Sequence, residues 1–80
     1  MYHIYILKCA DQTLYTGITT DLNRRIREHN TSSRAAKYTR VRRPVTLVYA
    51  KKYQNRSTAL KAEAKIKKLS HKEKQSIFCR

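Results

Sequence analysis

The chain contains few of the residues that interrupt regular structure. Glycine occurs once, as Gly17, proline occurs once, as Pro44, and tryptophan is absent. The two cysteines, Cys9 and Cys79, stand near opposite ends of the chain, without the CxxC or Cys/His spacing of a metal site. We therefore interpret both cysteines as reduced, structural residues and do not expect a structural zinc.

Long apolar runs are also missing. No segment approaches the roughly 20 apolar residues that are needed to cross a bilayer, and the N-terminus leads directly into a strand pattern. We therefore expect a soluble, cytoplasmic protein with no membrane association. The length of 80 residues predicts a single domain over residues 1–80, without a linker.

Acidic residues are scarce. The sequence has 5 of them against 19 lysines and arginines, which gives a formal net charge of +14. Hydrophobic residues still make up 40 % of the chain, so the composition indicates a folded basic protein rather than a disordered basic tail. This excess of positive charge favours a polyanion as partner, with nucleic acid well ahead of an anionic membrane surface.

Two segments at the start of the chain predict a β-hairpin. Residues 2–9 are rich in β-branched and aromatic residues, and a strand pattern resumes over residues 14–19 after a polar turn. Because side chains alternate between faces, a loop with an odd number of residues would place Tyr5 opposite Gly17 and on the same face as Tyr15. An even loop would separate the two tyrosines, and the pattern alone leaves both possibilities open.

Gly17 lies in the middle of the second predicted strand. A glycine in that position weakens strand pairing and offers no side chain to pack. The only glycine of the chain therefore indicates that another group must approach the backbone closely there.

A short helix over residues 22–30 is predicted to follow almost directly, with Thr20 or Asp21 as its N-cap. At about 100° per residue, one face of this helix carries Leu22, Arg25, Ile26 and His29. An arginine and a histidine thus share the face that the apolar residues turn inward. Glu28 is expected on the outward side, near Arg24.

The connection over residues 31–43 has no helix or strand period and is strongly basic. Connections of about 12 residues in compact domains are usually functional or mobile, so we expect this one to contact phosphates. A solvated, disordered connection is the alternative, and a helical turn at residues 34–38 would be compatible with the pattern. The candidate nucleic-acid contacts are Arg34, Lys37, Tyr38, Arg40, Arg42 and Arg43.

Pro44 precedes a third predicted strand over residues 45–53, at whose edge its missing N–H is tolerated. The clearest helix of the chain follows over residues 55–69, rich in Ala, Leu and Lys. We predict Ser57 or Thr58 as the residue that opens it.

A last helix is predicted over residues 70–78. Ser70 is its expected N-cap, and Glu73 has the spacing of a capping box. We expect Ile77 and Phe78 to pack this helix onto the sheet.

Glu63 is the one acidic residue that faces inward without a local structural role, on the alanine-lined face of the long helix. It could pair with Lys67, four residues on, for a few tenths of a kcal/mol. It could instead bind Mg²⁺, which commonly takes only one or two protein carboxylates and completes its coordination with water and phosphate oxygens. We favour the magnesium ligand.

Arg25 and His29 are the other candidates for chemistry. A guanidinium on the inward face can hold a phosphate with paired hydrogen bonds. His29 is as compatible with a half-buried packing role as with catalysis. Tyr5, Tyr15 and Tyr38 could be core or rim aromatics, but their convergence with an arginine, a histidine and a carboxylate would favour a functional site.

These residues together resemble the GIY-YIG nuclease domain, and specifically its small stand-alone bacterial branch. The resemblance rests on His3-Ile4-Tyr5, Tyr15-Thr16-Gly17, Arg25, His29 and the distant helical Glu63. It implies an α+β fold in which helices flank a three-stranded antiparallel sheet, in the order β-β-α-β-α-α. It also implies Mg²⁺-dependent (or Mn²⁺-dependent) hydrolysis of DNA phosphodiester bonds. Finally, it brings Tyr5 and Tyr15 together, which favours the odd hairpin loop.

The resemblance also implies roles for individual residues. The expected catalytic residues are Tyr5, Tyr15, Arg25 and His29, and the expected metal ligand is Glu63. Tyr5 would help to take a proton from the attacking water, with Tyr15 and His29 arranging the hydrogen bonds around it. A phenol titrates near 10, so Arg25 and Mg²⁺ would have to favour the phenolate. Gly17 would leave room for the backbone of the substrate.

The sequence therefore predicts a metal-dependent endonuclease, and a structure-selective role in DNA repair or recombination is compatible with it. The alternative is a non-catalytic, basic nucleic-acid-binding module with the same fold. A third interpretation is a basic protein that bridges other macromolecules, such as ribosomal RNA, and it would make Glu63 dispensable.

Overall fold

The computed structural model describes residues 1–78, which form a three-stranded antiparallel sheet and four helices. Strand β1 (Tyr2–Lys8) lies in the centre, between β2 (Leu14–Thr19) and β3 (Thr46–Tyr53). Both outer strands pair with β1 in antiparallel orientation. The predicted fold class is confirmed, although β1 ends one residue earlier and β3 begins one residue later than predicted.

The helices are α1 (Leu22–Thr31), α2 (Lys37–Arg40), α3 (Arg56–Lys67) and α4 (His71–Phe78). The predicted order of elements is confirmed, with α2 as an added single turn within the basic connection. It lies slightly later in the chain than the helical turn suggested for residues 34–38.

The hairpin has the odd loop that brings its two tyrosines together. Lys8 pairs with Leu14, and Tyr5 lies opposite Gly17, so an odd number of residues separates the strands. Tyr5 and Tyr15 therefore share a face of the sheet, with 6.4 Å between their ring centroids. This prediction is confirmed.

Both faces of β1 are covered. Ile4 and Ile6 are fully buried on one face, and Leu7 is fully buried on the face that also carries Tyr5. The core on the Tyr5 face consists of Tyr5, Leu7, Cys9 and Val45, with Tyr15, Leu22 and Ile26 packed against it. Helix α1 therefore covers the Tyr5 face, while α3 contacts β1 and β2. Cys79 lies outside the described residues.

Polar side chains cap the N-termini of α1 and α3. Asp21, rather than Thr20, caps α1 and accepts a backbone N–H of its first turn at 3.1 Å. Asn55 caps α3 and accepts the N–H of Thr58 at 2.9 Å. The prediction of Ser57 or Thr58 as this cap is wrong, because the helix begins early enough to place both residues inside its first turn.

The capping box of α4 is confirmed. The Ser70 N–H donates to Glu73 Oε1 at 2.9 Å, and the Glu73 N–H donates to Ser70 Oγ at 3.2 Å. Helix α4 contacts β3, with Ile77 and Phe78 partly buried. None of the helices within residues 1–78 has the length and apolarity that a membrane crossing requires.

Candidate functional site

A buried chain of three polar side chains forms the interior of the candidate site. The Tyr5 hydroxyl lies 2.8 Å from His29 Nε2, and His29 Nδ1 lies 2.6 Å from Thr39 Oγ1. Tyr5 is 1 % exposed, and His29 and Thr39 are 0 % exposed. Hydrogen bonds in such an environment are strengthened by the low local dielectric, so the three groups hold one another in place.

His29 is fully buried in this structure. Its two ring nitrogens lie against Tyr5 and Thr39, so the contact through which it would influence a reaction is the one with Tyr5. Burial lowers the pKa of His29 to about 4, and the positive charges of Arg25 and Arg43 act in the same direction. The imidazole is therefore neutral at pH 7, with one ring nitrogen free to accept a proton.

The depressed pKa of His29 predicts a loss of stability in mild acid. The unfolded chain takes up a proton near pH 6.5, whereas the folded chain takes it up only near pH 4. Stability is therefore complete above pH 6.5 and falls as the pH is lowered, by about 2 kcal/mol between pH 7.5 and pH 5. Urea unfolding of His29→Gln at both pH values should show a smaller difference. The exposed His71→Gln is the matched control, and an equal effect in both variants would contradict the prediction.

Tyr5 is a protonated phenol at neutral pH. Burial raises its pKa to about 12, although the guanidinium of Arg25 acts to lower it. The negative charge of Glu63 adds to the rise. Arg25 thus favours the phenolate, as expected, but desolvation outweighs its effect in the protein alone, so the net pKa of Tyr5 is raised.

Gly17 makes room for Tyr5. A Cβ atom at position 17 would lie 2.4 Å from both Cζ and Oη of Tyr5, closer than any carbon contact allows. The group that approaches this backbone in the structure is therefore the Tyr5 ring, which accounts for the glycine, and contact of Gly17 with a substrate stays a prediction. The glycine allows Tyr5 to reach across to β2.

Arg25 is anchored at the edge of the site. Its Nη1 donates to Glu28 Oε1 at 3.0 Å and to the carbonyl oxygen of Arg34 at 2.9 Å. Partial burial lowers the pKa of Arg25, but hydrogen bonds to Glu28 and Tyr5 outweigh that effect and raise it, so the guanidinium stays charged. The side chain is 25 % exposed, so part of the guanidinium faces solvent.

Glu28 does not have the outward position expected for it. Residues three apart on a helix are neighbours, and the contact with Arg25 turns Glu28 toward the site. The hydrogen bond from Arg25 lowers the pKa of Glu28. Arg24, the partner expected for Glu28, is only a distant second contact, with its Nε 3.9 Å from Oε2.

Glu63 has features of both an intrahelical ion pair and an available metal ligand. Lys67 Nζ lies 3.7 Å from Glu63 Oε2, so the intrahelical pair is present, but it is long and its lysine is exposed. The side chain of Glu63 is 14 % exposed, and its charge is close enough to Tyr5 to raise the tyrosine pKa. The negative charge of Glu63 therefore acts on Tyr5, the hydrogen-bond partner of His29.

Aromatic rings connect the site to the basic connection. The Tyr15 ring lies 5.3 Å from that of His29 and is stacked with that of Tyr38 at 6.0 Å. Arg42 Cζ lies 3.9 Å from the centroid of Tyr38, and Arg42 Nε donates to Asp11 Oδ2 at 3.0 Å. Helix α2 is thereby attached to the hairpin loop.

The basic connection is partly structural. Arg43 Nε donates to the carbonyl oxygen of His29 at 2.7 Å, and Arg43 Nη2 donates to that of Ser32. Arg42 and Arg43 thus contact Asp11, Tyr38 and the C-terminal end of α1, and phosphate contacts at these two residues stay a prediction. The more exposed candidates for phosphate contact are Arg34, Lys37, Tyr38 and Arg40.

Thr39 is the site residue that the sequence did not reveal. It stands among charged residues in a segment without periodicity, and its contact with His29 depends on how the chain folds back over α1. A threonine in such a segment is ordinarily a surface residue, so no signal in a single sequence distinguishes it.

Comparisons with known proteins agree with this architecture. A family model described as the GIY-YIG catalytic domain matches residues 1–76. A UPF0213 protein of Desulfotalea psychrophila is 54 % identical over 76 residues, which cover 95 % of this chain and 69 % of that protein. A UPF0213 protein of Halobacterium salinarum is 46 % identical over 78 residues, which cover 98 % of this chain and 100 % of that protein. The solution NMR structure of a UPF0213 protein from Bacillus halodurans superposes with a TM-score of 0.61 at 41 % identity, covering 96 % of this chain and 82 % of that one.

Proposed function

The chain belongs to the GIY-YIG catalytic domain family, and on that premise we propose that it is a Mg²⁺-dependent endonuclease that hydrolyses DNA phosphodiester bonds. The observation that carries the proposal is the joint presence of oppositely perturbed groups at one site. Tyr5 has a raised pKa, His29 has a lowered one, and the two share a hydrogen bond. Clusters of this kind are typical of catalytic sites.

Arg25 is the proposed phosphate-binding residue. Its contacts with Glu28 and Arg34 both use Nη1, and its guanidinium also interacts with Tyr5, so its remaining N–H groups are the ones that would meet the oxygens of a scissile phosphate. A guanidinium fixed in advance stabilises the charge that develops on those oxygens without reorganising during the reaction.

Glu63 fits the requirements of a magnesium ligand. Its oxygens are hard donors, its side chain is partly exposed, and its only ion-pair contact within residues 1–78 is the long one to Lys67. Mg²⁺ needs no more than one or two protein carboxylates, because water and phosphate oxygens complete its coordination. When bound, the ion would supply positive charge at the leaving oxygen.

Tyr5 and His29 are the proposed route for the proton of the attacking water. A neutral phenol can take up this proton only as it releases its own, and His29 Nε2 is 2.8 Å away to receive it. The water oxygen then forms its bond to phosphorus as the bond to the leaving oxygen breaks. Because Tyr5 is only 1 % exposed, the proposal requires that its hydroxyl becomes accessible to water when the substrate binds.

Nucleic acid is the proposed partner beyond the scissile phosphate. The net charge of +14 attracts a polyanion, and the exposed side chains of Arg34, Lys37 and Arg40 lie in the connection that follows α1. These side chains would contact flanking phosphates and set the salt dependence of binding. A structure-selective role in DNA repair or recombination is part of the proposal.

Arg25→Ala tests the proposal directly. We expect nicking of supercoiled plasmid in the presence of Mg²⁺ to fall by about 100-fold or more, as for the loss of one preorganised charged donor. Arg24→Ala is the matched control, since it removes the same charge from the exposed side of the same helix, and it should stay within a few-fold of the unmodified protein. Equal effects in both variants would contradict the assignment.

Binding measured beside cleavage separates the proposal from its main alternative. Tight, salt-sensitive binding of DNA by the unmodified protein, with no product that depends on Mg²⁺, would identify a non-catalytic nucleic-acid-binding module instead. Cleavage that disappears with a chelator and returns with added Mg²⁺ supports the endonuclease.

A further inference from the structure

Thr39 makes two hydrogen bonds through a single hydroxyl, and the proposed reaction does not use either bond directly. Its Oγ1 lies 2.6 Å from His29 Nδ1 and donates to the carbonyl oxygen of Ala36 at 3.1 Å. Thr39 has no exposed surface, although it belongs to α2, a single turn in a mostly exposed connection. A buried hydroxyl next to a buried imidazole needs an explanation, because polar groups are costly to desolvate.

The two bonds of Thr39 favour one position for the proton of His29. A carbonyl oxygen can only accept, so both bonds of Thr39 can form together only if its single hydroxyl proton goes to Ala36. In that arrangement the oxygen of Thr39 accepts the second bond, and the donor is His29 Nδ1–H. In a neutral imidazole with a proton on Nδ1, Nε2 carries a lone pair.

We propose that Thr39 is a positioning residue that holds His29 in the Nδ1–H tautomer, so that Nε2 always presents its lone pair to the Tyr5 hydroxyl. The opposite tautomer would point an N–H at Tyr5, and the tyrosine could then not pass its proton to the histidine. Without an acceptor at Nδ1, the two tautomers would compete.

The rest of the connection supports the same interpretation. Arg43 holds the backbone carbonyl of His29 at 2.7 Å, while Thr39 holds its ring. Stacking of Tyr38 on Tyr15 attaches the turn that carries Thr39 to the hairpin. The connection therefore orients His29 from two sides in addition to any contact it makes with phosphates.

The test compares Thr39→Val with Thr39→Ser. The ¹⁵N chemical shifts of the His29 ring, assigned with a His29→Gln spectrum, report which nitrogen is protonated. We expect Nδ1–H in the unmodified protein and in Thr39→Ser, which keeps the hydroxyl. Thr39→Val keeps the shape of the side chain but removes the acceptor, and it should show an increased fraction of Nε2–H.

Kinetics provide a second measurement, which rests on the proposed function. Thr39→Val should lower kcat for nicking by about 10-fold to 100-fold with KM unchanged, because the residue is buried and does not touch the substrate. Thr39→Ser should retain most of the activity that Thr39→Val loses. A purely structural role would instead lower the melting temperature of both variants without changing the tautomer.

The outcomes that overturn the inference are specific. Nε2–H in the unmodified protein, or an unchanged Nδ1–H tautomer in Thr39→Val, would each refute it. If Thr39→Val does not fold, Thr39→Ala removes the same acceptor and replaces it in the comparison. If the unmodified protein does not cleave DNA, the proposed function fails, but the tautomer measurement still tests the role of Thr39.

Discussion

Glu63→Gln should reduce Mg²⁺-dependent nicking of supercoiled plasmid by about 100-fold or more. Glutamine keeps the size of the side chain but removes the negative charge that Mg²⁺ prefers in a ligand. Loss of the ion would remove positive charge from the leaving oxygen. The resulting loss of rate should be about as large as that caused by removing one preorganised hydrogen-bond donor. Initial nicking rates over a range of Mg²⁺ concentrations measure the effect.

The direction of the Glu63 effect identifies its cause. Glu63 raises the pKa of Tyr5, so its removal should make the phenol slightly more acidic and therefore a better participant in proton transfer. A loss of activity in Glu63→Gln would thus oppose the change at Tyr5 and point to the metal. An additional Mn²⁺ titration should show weaker binding of the ion by the variant than by the unmodified protein.

Lys67→Gln is the matched control for Glu63→Gln. It breaks the same intrahelical pair, at 3.7 Å, while it keeps the carboxylate. We expect nearly unchanged activity and a change in stability within about 0.5 kcal/mol, because exposed pairs of this kind contribute little. Full activity in Glu63→Gln would exclude the metal-ligand role and favour a basic protein that only binds or bridges nucleic acids.

Local patterns were sufficient to predict most of the fold. The bounds of β2 follow from alternation and β-branched residues, and the capping box of α4 follows from the spacing of Ser70 and Glu73. The cap of α3 was assigned wrongly, because Asn55, Ser57 and Thr58 are all acceptable cap residues close together. Tertiary contacts decide where such a helix begins.

The errors at the site have a shared physical origin. Helical periodicity placed Arg25 and His29 on the inward face, but it could not give the reach of the Arg25 side chain, which turned Glu28 toward the site. The contacts of Arg43 and Thr39 with α1 arise only when the connection folds back. Spacing along one element is readable in a sequence, whereas contacts between elements depend on the whole fold.

Gly17 is a clear example of a contact between elements that the sequence alone could not identify. Its place in a strand predicts a close approach to the backbone, and that approach is present. A substrate and an internal side chain make the same demand on the glycine, so the sequence could not distinguish them. The register of the hairpin decides the matter, because it sets Tyr5 opposite Gly17.

Gly17→Ala should therefore damage both stability and activity. The new Cβ would lie 2.4 Å from the Tyr5 ring, which is buried and cannot move into solvent without cost. Overpacking of this kind destabilises by about 1–3 kcal/mol, or roughly 4–24 °C in the melting temperature of a domain this small. A ring displaced to relieve the clash would lose its 2.8 Å bond to His29, so cleavage should fall together with stability.

A double-mutant cycle with Tyr5→Leu separates the clash from a general intolerance of alanine in β2. Leucine stays apolar but ends short of the Cζ and Oη positions that the new Cβ would meet. In the Tyr5→Leu background, Gly17→Ala should cost little and could even stabilise the strand, because alanine loses less conformational freedom than glycine on folding. The expected coupling free energy is about 1–3 kcal/mol, measured by urea unfolding of the four proteins. Additive effects would mean that the glycine is required for some reason other than Tyr5, and a substrate that approaches β2 would again become the better explanation.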